Sequence, residues 1–178
     1  EELAGTLRKA IASGALTPIL HVSGAKGIGV EELMDFLAAF GPSPAVMPPP
    51  SAKDAKSEED VSLVCDAAKP LVARVFKTVT DPFVGKLSYF RILQGTLPAD
   101  SHVTNSRTGK SERVAQIFRI FGKEARPVPQ GIPGDLCAVS KIEDIHIGDA
   151  LCDGRKLVTL PKIVFPLPMA SLANEPKA

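Results

Sequence analysis

From Pro70 onward the chain shows no helical period. Runs rich in β-branched and apolar residues, Leu71 to Val79 and Leu87 to Leu93, alternate with turn-forming stretches. A short strand is expected at His102-Val103-Thr104 and a longer one from Val114 to Phe121, with Thr108-Gly109-Lys110 as a tight turn between them. A Pro/Gly loop runs from Arg126 to Asp135, Leu136 to Ser140 reads as strand, and Leu157 to Leu160 ends the unit. Short strands at hairpin spacing predict a closed antiparallel β-barrel over residues 70–160, because closure removes exposed sheet edges. Phe83, Leu87, Phe90, Ile117 and Leu136 are its expected core positions.

The first 44 residues follow a different rule. Leu3, Leu7 and Ile11 recur every four residues, and Gly14 follows as a stop. Thr17 to Val22 has strand character, Ser23 to Gly29 is a Gly-rich loop, and Val30, Leu33, Met34 and Leu37 form an apolar helical stripe that ends before Gly41-Pro42. This is an α/β edge, too small to hold a core by itself. Residues 45–69 read as an extended, mobile linker, with Pro48-Pro49-Pro50 followed by a charged stretch. Ile163 to Phe165 and Met169 to Ala173 read as strands of something further on, so 161–178 is expected to lead into a following domain. With Glu1-Glu2 opening what reads as a helix under way, the chain is expected to be a piece of a longer protein.

Composition excludes some classes. The net charge is +1, so a strongly basic nucleic-acid coat and an acidic tail are both excluded. Aromatic residues make up 5%, which argues against a broad base-stacking surface. Three Cys in no dense pattern point to reduced thiols in a cytosolic protein. The charge is unevenly spread. Residues 1–69 carry 6 basic and 10 acidic residues, and residues 70–178 carry 15 and 10. Between Arg107 and Arg126 there are six basic residues against Glu112 and Glu124. Arg107, Lys110, Arg113, Arg119 and Lys123 are therefore the candidate phosphate contacts, against the plainer reading of a solvated hairpin face.

Other motifs are weaker. Gly24, Gly27 and Gly29 stand where a phosphate could bind, between a strand and a helix, but fit neither GxGxxG nor GxxxxGK[ST]. Gly109-Lys110-Ser111 has the ending of a phosphate loop, but Thr104 occupies the position of its first Gly and the segment lies between strands. Cys65, Cys137, Cys152, His21, His102 and His146 show no metal-ligand spacing, and no hydrolytic triad stands out.

Asp81-Pro82-Phe83-Val84-Gly85-Lys86-Leu87-Ser88-Tyr89-Phe90-Arg91-Ile92 with Gly95 closely resembles the second domain of bacterial elongation factor G. Gly134-Asp135 and Ile147 to Asp153 match that domain's later turns. Phe165-Pro166-x-Pro168 and Glu175-Pro176-Lys177 resemble the start of the family's third domain. Leu7-Arg8-Lys9-Ala10, Pro18, Ser23 and Lys26 to Val30 resemble the closing segment of its GTPase domain. The resemblance implies a ribosome-binding translational GTPase that promotes translocation, works in the cytoplasm with GTP and Mg²⁺, and contacts small-subunit RNA. It also implies that Ser23, and next to it Gly24, contact the guanine base largely through backbone groups. Elongation factor G usually has Ala where Gly24 stands. The chain contains no GxxxxGK[ST], DxxG or NKxD motif, so no catalytic residue is expected in it and it should not bind GTP alone. The charged linker leaves open a ribosomal protection protein or a release-factor-like relative. A non-ribosomal β-barrel interaction domain and a self-contained βα nucleotide-binding enzyme are the rivals from other classes.

Overall fold

The computed structural model describes residues 2–81, 85–122, 124–142, 144–169 and 172–173. Two helices come first, α1 (Glu2–Ala12) and α2 (Val30–Phe40). Gly14 stops α1 as expected, at φ 74°, with its N–H on the Ile11 carbonyl. The helices touch through an Arg8 Nε–H donated to the Ala39 carbonyl, and neither has a buried residue. The stretch 17–22, expected as a strand, is not one. It has no neighbouring strand among the described residues, and an apolar run without a ladder does not hold strand geometry.

The rest is β. Its strands are β1 (Ala52–Asp54), β2 (Asp60–Val61), β3 (Val72–Asp81), β4 (Gly85–Gln94), β5 (Leu97–Pro98), β6 (Ser101–Asn105), β7 (Ser111–Val114), β8 (Ile117–Phe121), β9 (Glu124–Val128), β10 (Gln130–Gly131), β11 (Leu136–Ser140), β12 (Ala150–Cys152) and β13 (Val158–Thr159). Eight of them form one antiparallel sheet in the order β7-β6-β12-β3-β4-β11-β8-β9. The expected closed barrel is corrected here: the ladder is open, with β7 and β9 as its edges. The expected single strand from Val114 to Phe121 breaks at Ala115-Gln116, both exposed, and its halves pair at opposite ends of the sheet. A two-residue ladder between β5 and β10 stands beside the sheet in place of full closure. It occupies part of what read as a Pro/Gly loop.

The inner face holds Ala73, Val75, Phe90, Ile92, Val103, Val114, Ile117, Cys137, Val139, Ile145 and Leu151, all essentially inaccessible. Phe90 and Ile117 lie there as expected, and Leu87 is buried. Leu136 is corrected: it is 54% exposed, because strand alternation turns Cys137 and Val139 inward and Leu136 outward. Phe83 lies outside the described residues.

The linker is also corrected in part. The residues read as a mobile tether supply β1 and β2, and β1 pairs with β13 in a three-stranded sheet. That strap covers a second cluster on the outer face of the main sheet, built from Ala52, Leu63, Val72, Ala150, Cys152 and Val158. The charged residues sit on its exposed side, where Asp54 caps the turn by accepting the N–H groups of Lys56 and Ser57. A chain beginning at Pro70 should still melt cooperatively, but below one beginning at Pro48. Losing the buried Leu63 alone exposes apolar surface that contributes about 1.5–3 kcal/mol. A calorimetric scan of the two chains checks this, and equal midpoints would show that the strap adds no stability.

Candidate nucleic-acid interface

The turn after β6 is built by Asn105. Its amide accepts the Arg107 N–H through Oδ1 at 2.9 Å, while its carbonyl accepts the Gly109 N–H at 2.8 Å. Gly109 sits at φ 69°, where only glycine is unstrained, so Thr108-Gly109 forms the expected hairpin turn. This turn delivers Arg107 and Lys110 to the loop that precedes β12. Arg107 donates from Nε to Asp149 at 2.9 Å and from Nη2 to Asp144 at 2.9 Å, and its Nη2 lies 2.7 Å from His146 Nδ1. Lys110 Nζ reaches the other Asp144 oxygen at 3.4 Å.

Asp149 is the centre of this network. It is 6% exposed and also accepts from Asn105 Nδ2 at 2.7 Å and from the His146 N–H at 3.0 Å. Burial alone raises its pKa, yet the Arg107, His146 and Asn105 donors outweigh burial and hold it below the ordinary carboxylate value. The Arg107 hydrogen bond, first among the causes, lowers Asp144 as well. Arg107 is raised in return, chiefly by Asp149.

The remaining candidates are paired too. Arg113 forks onto Asp100 at 2.7 and 3.0 Å, Arg119 reaches Asp135 at 2.9 Å, and the neighbouring Arg126 holds Glu124. Lys123 lies outside the described residues. Arg107 and Lys110 share one cluster, whereas Arg113 on β7 and Arg119 on β8 stand on strands that are far apart in the sheet order. Composition showed six basic residues against two acids because Asp100, Asp135, Asp144 and Asp149 enter from other segments. Sequence reading missed them as partners, taking Asp135 and Asp149 only as turn residues.

At the other end of the chain, Ser23 and Ile28 exchange two backbone hydrogen bonds, 2.9 and 3.1 Å, closing the Gly-rich loop. The Ser23 N–H is thereby used inside the protein. Gly24 has open space where a Cβ would point, so its backbone is approachable. The chain holds no lysine-bearing phosphate loop beside it. No group of acids, His and Cys suited to a metal appears among the described residues. Burial pushes the thiols of Cys137 and Cys152 up to about 11, so both stay protonated at neutral pH. No helix among the described residues is long and apolar enough to cross a membrane.

A family model for elongation factor G domain 2 matches residues 70–154, which span all of the main sheet. Those residues, just under half of the chain, are thus similar to the second domain of elongation factor G. The likeness continues beyond them. A protein named elongation factor G from Amoebophilus asiaticus (strain 5a2) is 36% identical over 177 residues, which is 99% of this chain. The chain spans 25% of that relative's length. A solved structure from Thermus thermophilus, titled as the crystal structure of ttk003000868, superposes with a TM-score of 0.64 and 26% identity, over 84% of this chain and 20% of that one. The matched stretch includes β3 and β4, which pair antiparallel from Val72 opposite Gln94 to Asp81 opposite Gly85.

Proposed function

We propose that the chain is part of a ribosome-binding translational GTPase that promotes translocation. The observation that carries this is similarity to an elongation factor G over 99% of the chain, helices and strap included. In this reading residues 1–44 end the GTPase domain, 45–69 connect, 70–160 form the second domain, and 161–178 lead into a third. The parent protein binds GTP and Mg²⁺ and works in the cytoplasm. Ser23 and Gly24 contribute only a guanine-edge contact, since the phosphate and Mg²⁺ ligands do not occur in this chain. The β-domain then serves as a contact and relay module for small-subunit RNA, with no chemistry of its own.

Arg107, Lys110, Arg113, Arg119 and Lys123 remain the proposed phosphate contacts. The described members are held in place by acids, which fixes their geometry, and phosphates would share them rather than find them free. Replacing Arg107, Lys110 and Arg113 by Ala in the full-length protein should weaken ribosome co-sedimentation and flatten its salt dependence by about one unit of slope per lost contact. An unchanged slope would place the contact elsewhere.

The 178-residue chain alone should show no GTP binding in the micromolar range. One or two neutral hydrogen bonds contribute roughly 0.5–1.5 kcal/mol each, against about 8 kcal/mol for micromolar affinity. Isothermal calorimetry with GTP and Mg²⁺ checks this, and a micromolar Kd would restore the self-contained nucleotide-binding enzyme.

A further inference from the structure

The chain leaves the main sheet past a single polar anchor. β13 pairs with β1, Leu160 packs against the outer cluster, and Pro161 then gives its carbonyl to Arg74 Nη2 at 2.7 Å. Among the described residues this is the last hydrogen bond along the chain. Beyond it Ile163 is half-buried, and Val164 and Leu167 are 91% and 88% exposed. Nor is the exit segment packed tightly on the loop before β12. A cleft of about 440 Å³ is lined by Lys162 and Ile163 from the one and by His146, Ile147 and Gly148 from the other.

The anchor is made of opposing terms. Strand alternation puts Ala73 and Val75 in the core and Arg74 on the outer face. There Arg74 stands between Ala150 on β12 and Arg91 on β4. Ala150 carries only a methyl group and takes up little of the outer surface, whereas Arg91 brings a second positive charge. A charged donor on a carbonyl makes a strong hydrogen bond. Against it, like charges on directly opposite residues repel. Arg74 Nε is also buried without a partner, and no carboxylate pairs with Arg74 among the described residues. An orphaned buried donor is costly, and that cost ends once the side chain swings into water.

We propose that the Arg74–Pro161 hydrogen bond is a clasp that opens and closes in the native protein, and that it sets when the chain beyond Leu160 swings free of the main sheet. Opening gives up one favourable bond and relieves both unfavourable terms, so the two arrangements lie close in free energy. Closed, the clasp directs residues 162 and 163 along the loop before β12. Open, the guanidinium is hydrated and the segment pivots about the β1–β13 ladder, which stays formed because Lys53 still pairs with Thr159. Whatever follows residue 163 then changes direction relative to the β-domain, with no rearrangement inside that domain. The translational reading supplies only the identity of the part that follows, and the clasp itself belongs to residues of this chain.

The test is backbone amide relaxation, measured by NMR on the 178-residue chain. In wild type the order parameters of Lys162 and Ile163 should be about 0.8, and those of Val164 and Leu167 below about 0.6. Leu160, Lys162 and Ile163 should also show exchange on the μs–ms timescale, the signature of opening. Arg74→Met keeps an unbranched stem and loses the guanidinium. It should bring Lys162 and Ile163 below about 0.6 and abolish their exchange. Arg91→Met removes the opposing charge and should lower the open population, read by relaxation dispersion, by about two- to fivefold. Thermal melts verify the fold of both variants, and Ile117 in the core should keep its order parameter in each. The proposal is overturned if Lys162 and Ile163 are as mobile in wild type as in folded Arg74→Met, or if they show no exchange. It is equally overturned if Arg91→Met leaves the open population unchanged or raises it, and that variant decides alone should Arg74→Met not fold. Ribosome co-sedimentation of the parent is read separately, so its failure would remove the translational reading and leave the clasp standing.

Discussion

Phe90→Ala should lower the free energy of unfolding by about 3–5 kcal/mol, the largest effect expected of any single truncation in this chain. Phe90 is fully buried, and it is the bulkiest of the side chains that are. It sits on β4 at the middle of the sheet, opposite Val75 on β3 and Cys137 on β11, so three strands meet around its ring. Removing the ring leaves a cavity lined by residues held in two ladders. Backbone pairing prevents those strands from closing in, so the cavity term adds to the lost transfer energy. Urea denaturation of the variant and the parent chain measures the difference at constant slope. A loss under about 1.5 kcal/mol, the range of a volume-conserving swap, would mean that the sheet collapses around the gap.

The second large effect should come from Asp149→Ala, at about 2–3 kcal/mol. Three donors lose their acceptor together: Arg107, Asn105 and the His146 amide. Breaking a fully buried pair costs more, but Arg107 is 44% exposed and water recovers part of its charge. The acid limb of the stability curve should show the same residue. Asp149 has a folded pKa below its unfolded value, so its contribution is complete above the unfolded carboxylate pKa and is lost as pH falls through the folded one. Asp144, lowered by the same arginine, acts in the same direction. Asp149→Asn should therefore flatten the loss of stability on acidification, compared by melts at successive pH values. An acid limb identical to the parent's would show that Asp149 is not a titrating contributor.

How much of this was readable in the sequence depends on the range of the interaction. Turns signalled by Gly and Asp were legible because their cause is local: Thr108-Gly109 and Gly134-Asp135 stand where they were expected. Phe90 and Ile117 were legible as interior because bulky apolar residues inside β-rich runs are the ones most often buried. Leu136 failed, since a short apolar run does not reveal which parity faces inward. The continuous strand from Val114 to Phe121 failed because nothing within it shows that its halves pair with different neighbours. The strap failed for a similar reason: a charged, proline-led segment reads as a tether until β13, far along the chain, supplies its partner. Among the candidate contacts, the positions of the basic residues were legible, but their acid partners were not. Arg113 and Asp100 are 13 residues apart, and Arg107 and Asp149 are 42 apart.

The strap also sets an order of events. Lys53 and Thr159 are bridged across 106 residues, so their pairing closes the longest loop among the described hydrogen bonds. Closing it early would sacrifice chain entropy for only two register pairs, whereas β3 and β4 are neighbours in the chain and pair along most of their length. During synthesis the segment around Ala52 and Leu63 leaves the ribosome long before β13 exists to cover it. Its apolar side chains must wait in water while the sheet assembles, and β13 then retrieves them. Joining of β1 to β13 thus reports completion: a nascent chain that stops short of Val158 holds a formed sheet with its outer cluster still exposed.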